Sequence, residues 1–262
     1  MAQRILSFEA IENVRDFGDY GGAGGSRVAG GRLLRSGHHA RATDADLERL
    51  AGLGVSTIVD LRRGAERREQ PCRRYPGFAG QVIEGGDDGY GEAPHITFLK
   101  NTDLTPESVR AFMLQTYRDM PFDDRHLELF RQYFAALATG EGAVLIHCAA
   151  GKDRTGLLAA LTHHLLGVSD EDLLEDYLLT NTAVRLAERA PEIAGRIRAA
   201  YGKQASEAAV IAFLGVEPGF LEAAFASIRD AYGSVDAYLE QALGVDHARR
   251  EAVAATLQGE RA

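Results

Sequence analysis

The chain is poor in sulfur and has no long apolar run. Its 262 residues contain only two cysteines, Cys72 and Cys148. They stand far apart and suggest no disulfide framework, so a reducing, cytoplasmic setting is the expectation. The opening residues MAQRILSFEAIENVRD lack a basic region, an apolar run and a small-residue cleavage site. No cleavable signal peptide is therefore expected, and export by a route without one stays open. The stretch LLAALTHHLLG at 157–167 is too short and too polar to span a bilayer, so no stable membrane insertion is expected. There is no basic excess either: 29 Lys and Arg against 38 Asp and Glu give a formal charge of −9. That balance argues against nucleic acid as the main partner, because phosphate backbones require a basic face. A local basic pocket can exist on an acidic protein, so a phosphorylated substrate is not excluded.

What is present is ordinary for a globular protein, with 45% hydrophobic and 26% charged residues. No repeat, low-complexity tail or Pro-rich linker divides the chain, and one domain over residues 1–262 is expected. GDYGGAGGSRVAGG at 18–31 reads as turns around one short strand at an edge. Thr43 and Asp46 form a capping box for a short helix ending near Gly52. Residues 54–62 read as a buried strand, and a charged stretch then runs to Pro71. Residues 76–103 read as a long loop with one strand near Gln81–Ile83, carrying Asp87, Asp88 and His95. Thr105-Pro106-Glu107 starts a helix that runs to about Tyr117. The spacing of Phe130, Tyr133, Phe134 and Leu137 marks another. Ala143–Ile146 is an apolar strand delivering His147-Cys148. Helical pattern resumes up to Gly167, and Ser169 with Asp172 caps a helix through about Leu186. Pro218 opens a further helix, and Ser234 and Asp246 cap two last short ones. These elements predict an α/β fold: a central, largely parallel sheet flanked by helices on both faces, with a helical C-terminal half.

The informative segment is VLIHCAAGKDRTG at 144–156. It runs strand, cysteine, five residues, arginine, helix. Five residues can wrap one turn whose N–H groups, with the helix N-terminus behind them, form a nest for a tetrahedral oxyanion. That assigns phosphate contact to Ala149, Ala150, Gly151, Lys152, Asp153, Arg154 and Thr155. Small residues at 149–151 allow tight closure, and Gly151 can take a positive φ. Arg154 offers two parallel donors that a lysine lacks. Thiols at helix N-termini beside cations ionise readily, which suits Cys148 as a nucleophile that forms a cysteinyl-phosphate. The Thr155 hydroxyl is expected to bond the sulfur and help it leave.

The segment resembles the active-site loop of the protein tyrosine phosphatase superfamily: His-Cys, five residues, Arg, then Ser or Thr. It is most similar to the atypical bacterial branch with an HCxxGKDRTG loop, whose members act on phosphotyrosine and phosphoinositides. Asn13-Val14-Arg15-Asp16, GRLLRS at 31–36, Asp60-Leu61-Arg62, YRDMP at 117–121 and DYLLTN at 176–181 resemble segments of that branch in the same order. The resemblance implies a cysteine-dependent phosphatase with Cys148, Arg154 and Asp153 as catalytic residues. It also implies a phosphorylated protein or phosphoinositide as substrate, and neither metal nor cofactor. The chain has no tryptophan, so a Trp-Pro-Asp loop cannot supply the general acid. In the atypical branch the loop aspartate, here Asp153, is implicated; Asp87 or Asp88 is the second candidate.

Blander readings compete at several positions. Lys152 is either a phosphate or inositol contact or a solvated lysine, and Asp153 either a proton donor or a salt-bridged brace. Asp60 and Arg62 read as structural, and His147 as an orienting ring. His163 and His164 show no metal spacing. Cys72 is a small hydrophobe or a disulfide partner of Cys148 under oxidation. Two other functions remain to be separated from the phosphatase: a rhodanese-like sulfurtransferase, which does not call for the arginine, and a catalytically weak phosphate-binding module, which does not need the cysteine. A Walker NTPase is excluded because Asp153 follows Gly151-Lys152 where Ser or Thr is required.

Overall fold

A computed structural model describes residues 4–86, 94–203 and 205–259. In chain order the elements are β1 (Arg15–Asp16), β2 (Arg27–Val28), β3 (Leu33–Ser36), α1 (Asp44–Ala51), β4 (Val55–Asp60), α2 (Gly64–Glu69), β5 (Gln81–Glu84), α3 (Pro94–Asn101), α4 (Pro106–Asp119), α5 (Asp124–Thr139) and β6 (Ala143–His147). Then follow α6 (Asp153–Leu165), α7 (Asp170–Ala183), α8 (Leu186–Tyr201), α9 (Glu207–Leu214), α10 (Pro218–Tyr232), α11 (Val235–Gln241), α12 (His247–Leu257) and β7 (Gln258–Gly259). The five-stranded sheet has the order β1-β3-β6-β4-β5. Its pairs are parallel except β1 with β3, so the expected largely parallel sheet is present with an antiparallel edge.

β6 lies in the middle, and all five of its residues are buried. Side chains alternate across a strand, so a central strand feeds two cores. Val144 and Ile146 join the larger core with Phe130, Tyr133 and Phe134 of α5 and Leu157 and Leu161 of α6. Ala143 and Leu145 join a smaller core with Leu47 and Leu50 of α1. On β4, Val55 and Ile58 share this smaller core despite their odd spacing, because the register shifts between Val55 and Thr57. α1 thus covers one face and α5 and α6 the other, while α3, α8 and α9 build a further small cluster of their own around Leu99, Ala190 and Val210. Ser36 and Asp60 pair in register with His147 on either side. The three strands therefore end on one line, at the carboxyl edge where open α/β sheets bind ligands.

Most of the expected boundaries agree with the structure to within a residue or two. Differences cluster where tertiary contact decides. Within 76–103, β5 matches the expected strand, but Pro94–Asn101 is helical rather than loop. Its Leu99 is buried, and Phe98 stacks on Phe112 with ring centroids 4.2 Å apart. The helix opened by Ser169 ends at Ala183 instead of Leu186, broken by Arg185 in the left-handed region (φ 48°). α8 follows immediately and tolerates Pro191 inside it. At 18–31 the chain does turn back on itself, with the Val28 amide bonded to the Tyr20 carbonyl, and β2 also pairs with β7. No single described helix is long and apolar enough to cross a membrane.

The Asp46 carboxylate shows how the smaller layer is pinned. Its backbone N–H bonds the Thr43 hydroxyl, while its own oxygens accept the amides of Glu9, Ala10 and Ile11 at 2.7, 2.9 and 3.2 Å. Asp46→Ala removes a buried carboxylate and leaves those donors without their partner, Ile11's in a buried place, and should cost about 2 kcal/mol of stability. Urea unfolding should show the loss while kcat and KM stay near wild type; a change in kcat without one in midpoint would contradict this.

Candidate active site

The chain leaves β6 at His147, crosses Cys148–Lys152 and enters α6 at Asp153. Gly151 has φ +68°, as expected from the loop's need to close, and a Cβ there would lie 2.2 Å from the Ser36 carbonyl oxygen. The loop's carbonyls are held from outside. The Ala149 oxygen accepts the His38 amide at 3.1 Å, and the Lys152 oxygen accepts the Gly156 amide at 2.8 Å. The Ala150 and Gly151 oxygens accept the Asn13 side-chain amide at 3.0 and 2.8 Å, and Gly151 also takes Arg35 Nη2 at 3.1 Å. In a trans peptide the N–H points opposite the C=O. The N–H groups of residues 150–153 therefore face the other way, toward a cavity of about 670 Å³ lined by Cys148, Ala149, Ala150, Lys152, Asp153 and Arg154.

These six are among the residues expected to form the site; Gly151 and Thr155 are buried outside that lining. Cys148 is 2% exposed at the cavity floor. Arg154 is gripped end-on by Glu66 of α2, Nη1 to Oε2 at 2.7 Å and Nη2 to Oε1 at 2.9 Å, and Nη1 also reaches the Leu61 carbonyl at 3.1 Å. A guanidinium has five N–H donors. Those bonds leave the Nε–H and one Nη2 hydrogen, a parallel pair on one edge of the fork. Burial pushes the Glu66 carboxyl up, but its hydrogen bonds and charge contact with Arg154 win and hold it down at about 2. Sequence reasoning missed Glu66. Its only signal is its place as N3 of α2, where Oε2 also caps the Arg63 amide at 2.8 Å.

Two expectations are modified. Lys152 is neither solvated nor turned to the cavity centre: its side chain is nearly buried, and Nζ donates to the carbonyls of Phe213 and, at 3.1 Å, Gly215. It thereby caps the end of α9. The Thr155 hydroxyl is buried without a partner, so the expected bond to the Cys148 sulfur is not made. Asp153 is the more accessible carboxylate, 26% exposed, and accepts the Tyr117 hydroxyl at 3.0 Å, which in turn accepts Tyr177 at 2.7 Å. Burial and then the Asp153 charge hold the Tyr117 phenol well above its usual range, so it stays a donor. Asp87 and Asp88 lie outside the described residues. His95 sits on α3 and lines the cavity with His126 and Arg63.

Beneath the loop, Asp60 and Arg62 form a buried ion pair at 2.6 Å, as their structural reading expected. Arg62 Nη2 also reaches the Cys72 sulfur at 3.0 Å. The His147 ring stacks on His39 at 4.8 Å, with Nδ1 3.5 Å from the Cys148 carbonyl. Both cysteines are free. Among the described residues, ligand atoms of Asp60, Cys72 and His147 lie within 4.8 Å of one another. Arg62 already supplies the positive charge there, and a metal ion would have to displace it. His163 is taken up by the Phe17 carbonyl at 2.6 Å.

Acid should weaken this structure in two windows. Burial lowers His147 and His126 to about 4 from 6.5. The unfolded chain then binds protons that the folded one does not, so stability falls as pH drops from 6.5 to 4, by about 1.4 kcal/mol per unit for each ring. Glu66 contributes above 4.5 and loses its contribution as pH falls toward about 2. Melting temperature against pH reads both; a flat profile from pH 7 to 4 would refute the first. Glu66→Gln should lower kcat/KM on the order of tenfold by loosening Arg154, with the fold retained.

A sequence profile of the tyrosine phosphatase family matches residues 6–259. A Cupriavidus necator protein named provisionally as a tyrosine-protein phosphatase is 38% identical over 93% of this chain and 86% of its own length. The triple specificity protein phosphatase PtpB of Mycobacterium tuberculosis is 29% identical over 88% of this chain and 91% of its own. Among solved structures, Pseudomonas aeruginosa TpbA covers 74% of this chain and 86% of its own at 20% identity, with a TM-score of 0.31. With the profile spanning nearly the whole chain, this protein belongs to the tyrosine phosphatase family and is a cysteine-dependent phosphatase.

Proposed function

We propose that residues 1–262 form one phosphatase domain in which Cys148 attacks phosphorus, Arg154 holds two phosphate oxygens, and Asp153 handles the proton. The observation that carries this is the loop at the end of β6, with its carbonyls bonded outward and Cys148 and Arg154 on its inner side. Amide donors set in advance stabilise charge that develops in the transition state without reorganising. In the first step the Cys148 sulfur forms a bond to phosphorus as the P–O bond to the leaving group breaks. The leaving oxygen takes a proton from Asp153. In the second step water attacks phosphorus, Asp153 accepts its proton, and the S–P bond breaks to return the thiolate and inorganic phosphate.

The favoured substrate is phosphotyrosine in a protein. Phe112, Met113, Phe122, Phe213 and Leu214 wall the cavity and suit an aromatic ring. A wider range, including phosphoinositides, is the second reading. It is supported by the similarity to a relative whose name states triple specificity and by a cavity of about 670 Å³, which admits more than one ring. Lys152 enters that reading only if a second phosphate draws Nζ from the α9 carbonyls.

Cys148→Ser should abolish turnover of p-nitrophenyl phosphate while retaining phosphate binding, and EDTA should have no effect; inhibition by EDTA would contradict the cysteinyl-phosphate route. Arg154→Lys should cost roughly 3 kcal/mol in kcat/KM, since a paired contact becomes a point charge. Asp153→Asn tests the acid. An alkyl phosphate needs protonation to leave, whereas p-nitrophenolate does not, so the alkyl substrate should slow by about 10² or more and the aryl one far less. Equal losses would make Asp153 a brace for the loop and move the assignment to Asp87 or Asp88.

A further inference from the structure

The carbonyls of Ala150 and Gly151 occupy the tightest part of the loop, and both are held by one side chain. Asn13 Nδ2 donates to both, at 3.0 and 2.8 Å. Asn13 lies just before β1, 137 and 138 residues away in sequence from its two acceptors, and is 2% exposed. An asparagine amide has two donor hydrogens and one acceptor oxygen, and the two ends are interchangeable unless something fixes them. Here Arg15 fixes them: its Nη1 donates to Asn13 Oδ1, so the NH2 end must face the loop. Arg15 cannot rotate away. Its Nε donates to Asp176 Oδ1 at 3.0 Å, and its Nη2 donates to the Asp176 carbonyl and the Thr180 hydroxyl, both at 3.0 Å. Arg35 completes the bracket. Its Nη1 is 2.6 Å from the other oxygen of Asp176, and its Nη2 adds a second bond to the Gly151 carbonyl.

We infer that Asn13 is a positioning residue of the phosphatase reaction, whose amide turns the peptide units 150–151 and 151–152 so that the N–H groups of Gly151 and Lys152 face the phosphate. This rests on the loop being the phosphate site, as proposed above. Three features of Asn13 fit the role beyond packing. It presents two donors to two consecutive carbonyls, which is what setting two consecutive peptide planes requires. Its oxygen is committed to a cation, so the amide cannot flip and offer an acceptor to the carbonyls. And its backbone has φ 60°, a left-handed conformation that asparagine and glycine tolerate and most residues do not. Loss of the amide frees the Ala150 carbonyl and leaves the Gly151 carbonyl on Arg35 alone, so the Ala150 oxygen can swing inward, where it would meet the phosphate oxygens with like charge.

The positive φ makes a clean test available. Asn13→Gly keeps the backbone conformation and deletes only the amide; Asn13→Asp keeps size and shape but replaces the two donors with acceptors. Both variants should be assayed beside wild type and Cys148→Ser with p-nitrophenyl phosphate, with orthovanadate and inorganic phosphate as competitive inhibitors, and with melting temperature recorded. In Asn13→Gly, kcat/KM should fall roughly 10- to 100-fold, because small displacements of preorganised groups have effects of that size. Vanadate and phosphate inhibition constants should rise by about tenfold or more, with Asn13→Asp worse than Asn13→Gly. A merely structural role would lower the melting temperature or the active fraction but leave the inhibition constants of the folded enzyme unchanged. Unchanged constants, or failure of both variants to fold, would overturn the inference. Turnover retained by Cys148→Ser would instead overturn the underlying site, and the two failures read differently.

Discussion

A single buried carboxylate holds the machinery together. Asp176, on the helix after the loop helix, is 1% exposed and lies against two guanidiniums that are themselves wholly buried, Arg15 from the sheet edge and Arg35 from β3. Burial pushes its carboxyl up, and the two arginines hold it well below the usual range. Charged groups this deep persist only when each is paired and hydrogen-bonded. The arrangement meets that demand by spreading the bonds: Asp176 takes one arginine on each oxygen, and the arginines spend their remaining donors on Asn13, Thr180 and the loop. One cost is visible, since Arg35 Nε has no partner. Two cations on one anion also leave a surplus positive charge directly under the loop. Burial accordingly lowers Arg15 to about 10, with the neighbouring Arg35 adding to the effect.

The adjacent residue serves the other side of the site. Tyr177 sends its hydroxyl to Tyr117 and thence to Asp153, and its ring lies 3.0 Å from where a Cβ on Gly156 would sit. The dipeptide Asp176-Tyr177 therefore reaches two parts of the loop: through Arg15 and Arg35 its middle, and through Tyr117 its exit. Glu66 approaches from α2 and grips Arg154, so the loop is braced by segments spread over the chain. This explains why the fold places β6 at the sheet centre, where β3 and β4 flank it and deliver Arg35 and Arg62 on either side.

The sequence carried the loop and most of the elements, for definite reasons. Capping residues such as Thr43, Thr105, Ser169 and Asp246 act within a few positions, and the structure has each of them bonding the N–H expected of a cap. The positive φ of Gly151 follows from a turn that must close in five residues. What did not show was anything decided at long range. α3 carries no distinctive periodicity and forms against aromatic rings of α4 and α9. Lys152 read as a solvent or phosphate contact because nothing near it announces α9, whose terminal carbonyls it caps from about 60 residues away. Asn13, Arg15 and Asp176 were visible only as segments in family order; their joint action on the loop requires the coordinates of four elements at once.

The Glu66 grip has a consequence for how the enzyme meets its substrate. With Arg154 already neutralised by a carboxylate, and Lys152 and Asp153 beside each other, the mouth of the pocket offers an incoming anion little net charge. The protein as a whole carries −9. Over long range the protein as a whole therefore does not attract an anion, and in the proposed site a phosphate would be drawn in only at close range, by the surplus positive charge under the loop, the amide dipoles and one guanidinium edge. Mobile ions screen long-range repulsion far more than they weaken buried, short-range contacts. Added salt should therefore ease the approach of a dianion to this enzyme rather than hinder it, the opposite of a site that captures anions through a broad basic face.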